Sequence, residues 1–339
     1  MVVLNHAQLW QSKYFHSVAH LPDWLSVGES GVDLFFVISG FIMMYVTPRA
    51  FRGWRDQLAF LTRRFFRIYP ALWGITIPLI FVWLANPKLL GTAQGNQVDV
   101  ISSLLLIPNH LAPVLVVAWT LVYEVYFYFV ASFIFYCGGS RRVALAAIWS
   151  AIIVASNVIH PQLFESPWLN VWLSPLSLEF ISGMVLAHIV QLGAVRISSG
   201  AAWCLLGAVL LFGFSAGLNH GRFLVVQREP IRLLIYGLPA FVVLWIVLRM
   251  EIRHQWSWLK KIAWLGDRSY SIYLLHVPVL AGLLMPASKA MTHSGSAEVF
   301  GVILAAVCFI MIPVEFFYRL VEKPSHALAK RLAVRLSPR

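Results

Sequence analysis

From end to end the chain alternates long apolar runs with short polar stretches, many of them basic. Apolar runs cover 31–47, 70–86, 113–136, 143–159, 174–192, 201–217, 232–248, 269–287 and 298–318. About 20 apolar residues carry an α-helix across a bilayer's hydrocarbon core, so each run predicts a membrane span. The opening MVVLNHAQLW is apolar too, but it stops at Gln11-Ser12-Lys13, about half the length a span needs. It reads as the back half of a further helix, with the given start expected to truncate it. A signal peptide is not predicted, because there is no basic leader and no small-residue cleavage site. The pattern predicts an all-α fold: a polytopic membrane helix bundle of about ten helices, forming a single domain over 1–339. Segment 100–108 is apolar but too short to cross, and is expected to be re-entrant or interfacial.

Composition agrees with this pattern. Of 339 residues 60% are hydrophobic and 12% charged, with mean hydropathy +0.76, whereas ordinary soluble domains run near 25% charged. Fourteen Trp and 23 Phe suit aromatic belts at two membrane interfaces. The net charge of +12 does not indicate nucleic acid, because the basic residues fall between apolar runs rather than along one stripe. All but six of the 26 Lys and Arg residues fall on one side of the predicted membrane. The six are Lys13, Lys88, Arg222, Arg228, Arg232 and Lys289. By the positive-inside rule both termini are expected in the cytoplasm. Cys137, Cys204 and Cys308 show no metal-ligand or disulfide spacing and read as small packing residues.

Against this apolar background the polar residues inside spans stand out. GVDLFFVISGFIMMY, residues 31–45, carries Asp33 near one end and the small pair Ser39-Gly40 in its middle. A carboxylate at the centre of a membrane helix costs roughly 2.5–3.5 kcal/mol on insertion scales. Asp33 therefore either faces a polar interior or caps its helix at the interface. Small pairs let a second helix approach closely. Glu124 lies in AWTLVYEVYFYF one turn from Tyr128, and Glu179 precedes a second small pair, Ser182-Gly183. Glu315 stands at i, i+4 from Arg319, which predicts a structural ion pair. His6 and His276 also lie in apolar helices; a neutral imidazole there can clip helices together or act as a base near neutral pH. Ser269, Tyr273 and His276 can share one helix face.

Arg63, Arg64 and Arg67, in LTRRFFRIYP, stand at the cytoplasmic mouth of the third span. Arg63 and Arg67 are at i, i+4 and share a face, with Arg64 turned aside. Guanidinium forks there suit a phosphate or pyrophosphate ligand, or anchor the chain to anionic lipid.

Together these segments resemble the acyltransferase family 3 membrane proteins, the group that includes O-acetyltransferases of bacterial exopolysaccharide and lipopolysaccharide. The resemblance rests on VVLNHA with His6, GVDLFFVISGFI with Asp33, Ser39 and Gly40, and RRFFRIYP with Arg63, Arg64, Arg67, Tyr69 and Pro70. It continues through AWTLVYEVYFY with Trp119 and Glu124, then LEFISGM, GDRSYSIYLLH and FYRLVEKPSHAL. An arginine that the family carries before the first-helix histidine has no counterpart, because the sequence begins too late.

The resemblance implies transfer of an acetyl or other short acyl group from acyl-CoA to a hydroxyl of a cell-surface or exported polysaccharide precursor, in a bacterial inner membrane. No permanently bound cofactor is implied; the acyl-CoA is a substrate and the partners are a carbohydrate acceptor and the lipid bilayer. Arg63, Arg64, Arg67 and Tyr69 would bind the donor, and His6 would act as general base. Asp33 or Glu124 would orient His6, and Tyr273, His276 and Glu179 would line the acceptor path. The competing reading is a proton-coupled transporter of a lipid-linked sugar or small acid. The sequence shows none of the repeated halves that transporters commonly carry.

Overall fold

The computed structural model describes residues 1–15, 22–47, 51–89, 97–137, 139–160, 164–192, 199–220, 230–254, 263–291 and 295–337. Among these residues the regular structure is entirely helical. Eight helices are long and apolar enough to cross a membrane, and Trp203–Ser215 is a shorter apolar one. With α1 (Val2–Tyr14), every predicted position is helical, while eight of them reach spanning length. Of the basic residues in the orientation count, Arg49, Arg196, Arg222, Arg228, Lys260, Lys261 and Arg339 lie outside the described residues.

The described chain divides into two compact units. The first comprises residues 1–2, 23–51 and 133–261. It holds α2 (Ser30–Val46), α6 (Gly139–Ile159), α7 (Pro167–Trp172), α8 (Leu176–Gln191), α9 (Ser199–His220) and α10 (Leu238–His254). Its closest pairing is α2 on α8. A Cβ on Gly40 would overlap the Phe180 carbonyl, and one on Gly183 would overlap the Val37 carbonyl. The two small pairs therefore meet each other, each glycine admitting the opposite backbone. In lipid, where burying apolar surface gives no net drive, such close approach supplies the dispersion contacts that hold helices together. Phe41, Leu186 and Ala187 then pack against Phe241, Leu244, Trp245 and Leu248 of α10.

The second unit comprises residues 3–22, 52–132 and 262–339. It holds α1, α3 (Trp54–Ala85), α4 (Val100–Leu105), most of α5 (Trp119–Cys137), α11 (Ser269–Ala290) and α12 (Ser296–Leu336). Ala7 of α1 and Phe15 just past its end pack with Leu280 and Leu284 of α11 and with Val299, Ile303 and Val314 of α12.

Two helices run well past the predicted ends. Helix α3 starts at Trp54 rather than near residue 70, so the arginine cluster rides on the helix body with Pro70 inside it. Membrane helices tolerate such a proline when neighbours satisfy the freed carbonyl. Helix α12 continues 41 residues to Leu336, about 60 Å at 1.5 Å per residue and twice a hydrocarbon core. Its last part packs along α3. A π-helical turn at Tyr318–Glu322 interrupts it, and Phe317 just before that turn sits against Gly74 of α3. Segment 100–108 forms only the six-residue α4, capped by Asp99, whose carboxylate accepts from the Ser102 amide. It ends where Leu106 turns left-handed, at φ 56°. The three cysteines lie on the exposed surface rather than in packed positions.

Candidate active site

Polar side chains of the second unit gather along α3, α5, α11 and α12. Arg64 and Arg67, three residues apart on α3, are half-buried, whereas Arg63 is exposed. The pair turned inward is thus Arg64 with Arg67, not Arg63 with Arg67. The physical reason is what receives them. The Arg64 guanidinium lies over the Tyr128 ring at 5.2 Å and the Phe60 ring at 5.3 Å, an arrangement in which the ring faces attract a cation. Arg67 stands within electrostatic reach of Tyr128, Glu124, Tyr270 and Glu322. Arg63 instead lies near Asp56.

Each acidic or phenolic member of this cluster is held. The Tyr128 hydroxyl donates to Glu124 one turn away on α5. Tyr270 donates to the Ile68 carbonyl at 3.0 Å, and Ser271 donates to Glu322. The π-turn in α12 ends on Glu322, which is buried. Tyr69, one helical step past the cluster, donates to the Leu105 carbonyl at 3.1 Å while Trp73 donates to that of Leu104 at 2.9 Å. Both side chains tie α4 to α3.

Helix α11 carries Tyr270 at the level of the arginines and His276 six residues further along, about 9 Å at 1.5 Å per residue. His276 is fully buried. Its Nε2 is 3.0 Å from Nδ1 of His6, and its Nδ1 is 3.1 Å from the Ile272 carbonyl. The two imidazole rings are 4.9 Å apart and tilted by 51°. Tyr273 stands with its ring centre 5.8 Å from that of His276. Its hydroxyl donates to the Val117 carbonyl at 2.7 Å and lies 2.7 Å from the Thr120 hydroxyl, which is itself 3.2 Å from that carbonyl. The predicted shared face of Tyr273 and His276 is therefore present.

Asp33 and Glu179 belong to the first unit. Asp33 is completely buried and does not cap its helix. Nε of Arg232 donates to Oδ1 at 2.9 Å and Nη2 donates to Oδ2 at 2.7 Å, the bidentate fork that best satisfies a buried carboxylate. Glu29 adds a longer ion pair to Arg232 at 3.8 Å. Glu179, also buried, interacts electrostatically with Asp33. A π-turn at Leu233–Gly237 follows Arg232, and a Cβ on Gly237 would come within 2.9 Å of Glu179 Oε1. Both π-turns of the described chain thus adjoin buried carboxylates, the kind of place where such irregularities concentrate.

The predicted residues therefore fall into two groups. His6, Glu124, Arg63, Arg64, Arg67, Tyr69, Tyr273 and His276 are in the second unit; Asp33 and Glu179 are in the first. Arg232, Ser271 and Thr120 were not singled out from the sequence, and Glu322 entered only as a position in the FYRLVEKPSHAL block of the family resemblance. In the orientation count Arg232 falls among the six residues of the minority side, at the first position of the 232–248 run, and the structure buries it there. The signal that could have found it is a cation just after Pro230 at the edge of an apolar run, in a chain whose embedded carboxylates need partners. Glu315, by contrast, pairs with Arg319 as predicted and with Arg268 as well.

Comparison with known proteins supplies the context. The chain is 28% identical over 322 residues to the exopolysaccharide production protein ExoZ of Rhizobium meliloti, covering 91% of this chain and 93% of that protein. It is 27% identical to the putative peptidoglycan O-acetyltransferase YrhL of Bacillus subtilis, over 89% of this chain and 51% of that protein. It is 24% identical to the peptidoglycan O-acetyltransferase OatA of Listeria monocytogenes, over 76% and 46%. The chain thus spans about half the length of the two peptidoglycan relatives. No solved structure matches it. The family described as Acyltransferase domain matches residues 1–315. That stretch takes in His6, the arginine cluster, Glu124 and His276 alike, and on this ground the chain belongs to acyltransferase family 3 and is a membrane acyltransferase.

Proposed function

We propose that the protein moves an acetyl or other short acyl group from acyl-CoA to a hydroxyl of an exported or cell-surface polysaccharide precursor, in a bacterial inner membrane with both termini cytoplasmic. The observation that carries this reading is a single helix, α11, bearing Tyr270 beside the inward arginines and His276 on His6. In this reading a site for a phosphorylated donor and a site for a base are held on one element. Relatives named for exopolysaccharide production and peptidoglycan O-acetylation support a glycan acceptor.

In this reading Arg64 and Arg67 bind the CoA phosphates, with Arg63 at the exposed rim. Glu124, through Tyr128, holds the two inward arginines rather than touching the reacting atoms. His6 takes the proton from the acceptor hydroxyl as its oxygen bonds to the thioester carbon. The carbon–sulfur bond breaks, and the proton passes from the imidazolium to the leaving thiolate. A positioned base of this kind contributes about 10²–10⁴-fold in rate. Asp33, clamped by Arg232, stabilises its own unit, and Glu179 lies beside it; Tyr273 walls the histidine pair.

The test uses purified protein in lipid nanodiscs with acetyl-CoA and a soluble glycan, following release of free CoA thiol. Thiol release that depends on the glycan and drops at least 10²-fold in His6→Ala is expected. Full turnover in that variant would remove the base assignment. Mass spectrometry of the cell's polysaccharide with and without the gene separates the classes: an acyltransferase loses an acyl group, a transporter loses the whole polymer.

A further inference from the structure

The histidine pair fixes which nitrogen of each ring carries a hydrogen. His276 Nδ1 faces the Ile272 carbonyl at 3.1 Å. A carbonyl oxygen only accepts, so that nitrogen carries the hydrogen and donates. In a neutral imidazole the other nitrogen is then a bare acceptor. His276 Nε2 is therefore the acceptor in its 3.0 Å contact with His6, and His6 Nδ1 must be the donor. Neutrality of His276 follows from its setting. It is fully buried, and its two ring partners, a carbonyl and another imidazole, carry no negative charge. Burying a cation without a counter-charge there is costly.

We infer that His276 is the positioning residue of His6: by accepting the Nδ1 hydrogen it holds His6 in the tautomer whose Nε2 lone pair is the base. The inference rests on the reading of His6 as base and deepens it. The role is the one that a buried carboxylate plays in a Ser-His-Asp triad, where it fixes the tautomer and steadies the imidazolium. Here an imidazole backed by a main-chain carbonyl takes its place, so the orienting group is uncharged. When His6 Nε2 receives the acceptor's proton, the Nδ1–H bond to His276 becomes charge-assisted and shortens. Tyr273, held through its hydroxyl by Val117 and Thr120, lies beside the His276 ring with 5.8 Å between ring centres.

The tautomer is read directly by solid-state nitrogen NMR of the protein labelled with ¹⁵N-histidine and reconstituted in lipid, with His6→Ala used to assign the signals. In the wild type His6 is expected as the Nδ1–H form, and in His276→Ala that preference is lost. A wild-type His6 carrying its hydrogen on Nε2, or a preference unchanged in His276→Ala, overturns the inference. In turnover, His276→Ala should lower kcat about 10²-fold, within the range a base contributes, with KM for acetyl-CoA unchanged. His276→Gln, whose amide oxygen can accept the same hydrogen, should recover most of kcat. A rise in KM with kcat kept would assign His276 to binding and overturn the inference. The wild-type spectrum decides the matter even if His276→Ala fails to fold. Turnover retained in His6→Ala would remove the base assignment while leaving the tautomer as measured.

Discussion

Arg232 grips both carboxylate oxygens of Asp33 from a position 199 residues away, and both side chains are buried. Truncating one partner of a buried pair leaves the other charge without compensation, at a cost of roughly 3–5 kcal/mol. Arg232→Ala is therefore expected to lower thermal stability in detergent sharply. Asp33→Asn with Arg232→Met should recover most of the loss, because no bare charge remains. A double-mutant cycle on unfolding temperature checks this, and additive effects would show that the two side chains do not couple.

Gly40→Ala and Gly183→Ala each push a methyl into the opposite helix's carbonyl. Overpacking of this kind costs about 1–3 kcal/mol, so both variants should melt earlier. Gly282 on α11 has nothing within 4 Å of an added Cβ. There alanine should be neutral or stabilise by up to about 1 kcal/mol. Equal effects at Gly40 and Gly282 would contradict the close α2–α8 contact.

Arg67 and Arg63 are one turn apart on α3 but differ in setting, one turned into the polar cluster and the other exposed. Arg67→Ala should raise KM for acetyl-CoA by tenfold or more, since a charge-assisted contact in a partly dry site is worth about 1.5–3 kcal/mol. Arg63→Ala should change it by less than threefold, as exposed pairs contribute at most about 1 kcal/mol. Steady-state kinetics against acetyl-CoA make the comparison.

Outside the spans, the backbone N–H of Ser102, and then its hydroxyl, donate to Asp99 and hold that carboxyl below the usual carboxylate range. A depressed folded-state value means the cap's contribution is present above the unfolded carboxylate's pKa and is lost as pH falls through the folded value. Hydrogen exchange at the Ser102 amide should therefore accelerate, relative to its intrinsic rate, in that acid window. Asp99→Asn, which cannot titrate, should remove the pH dependence; an unchanged profile would mean the carboxylate does not control the cap.

Much of the architecture could be read along the chain because each span needs only its own 20 or so apolar residues, and a helix satisfies its backbone internally. The small pairs Ser39-Gly40 and Ser182-Gly183 were visible as sites of close approach for the same local reason. Helix ends were less legible. What continues α3 back to Trp54 and α12 on to Leu336 is the packing of one helix along the other, which no hydropathy window detects.

The amino-acid sequence by itself determined that this is a helical membrane protein, where its spans lie, and which ionisable residues must be sheltered from lipid. Only the tertiary structure decided how those residues are partnered: Asp33 with Arg232, His6 with His276 across 270 residues, and Arg64 rather than Arg63 turned inward beside Arg67. The reason is that the cost of embedding a polar group is set by its own chemistry. Its relief depends on which other helix comes to lie against it, and that is a property of the packed bundle.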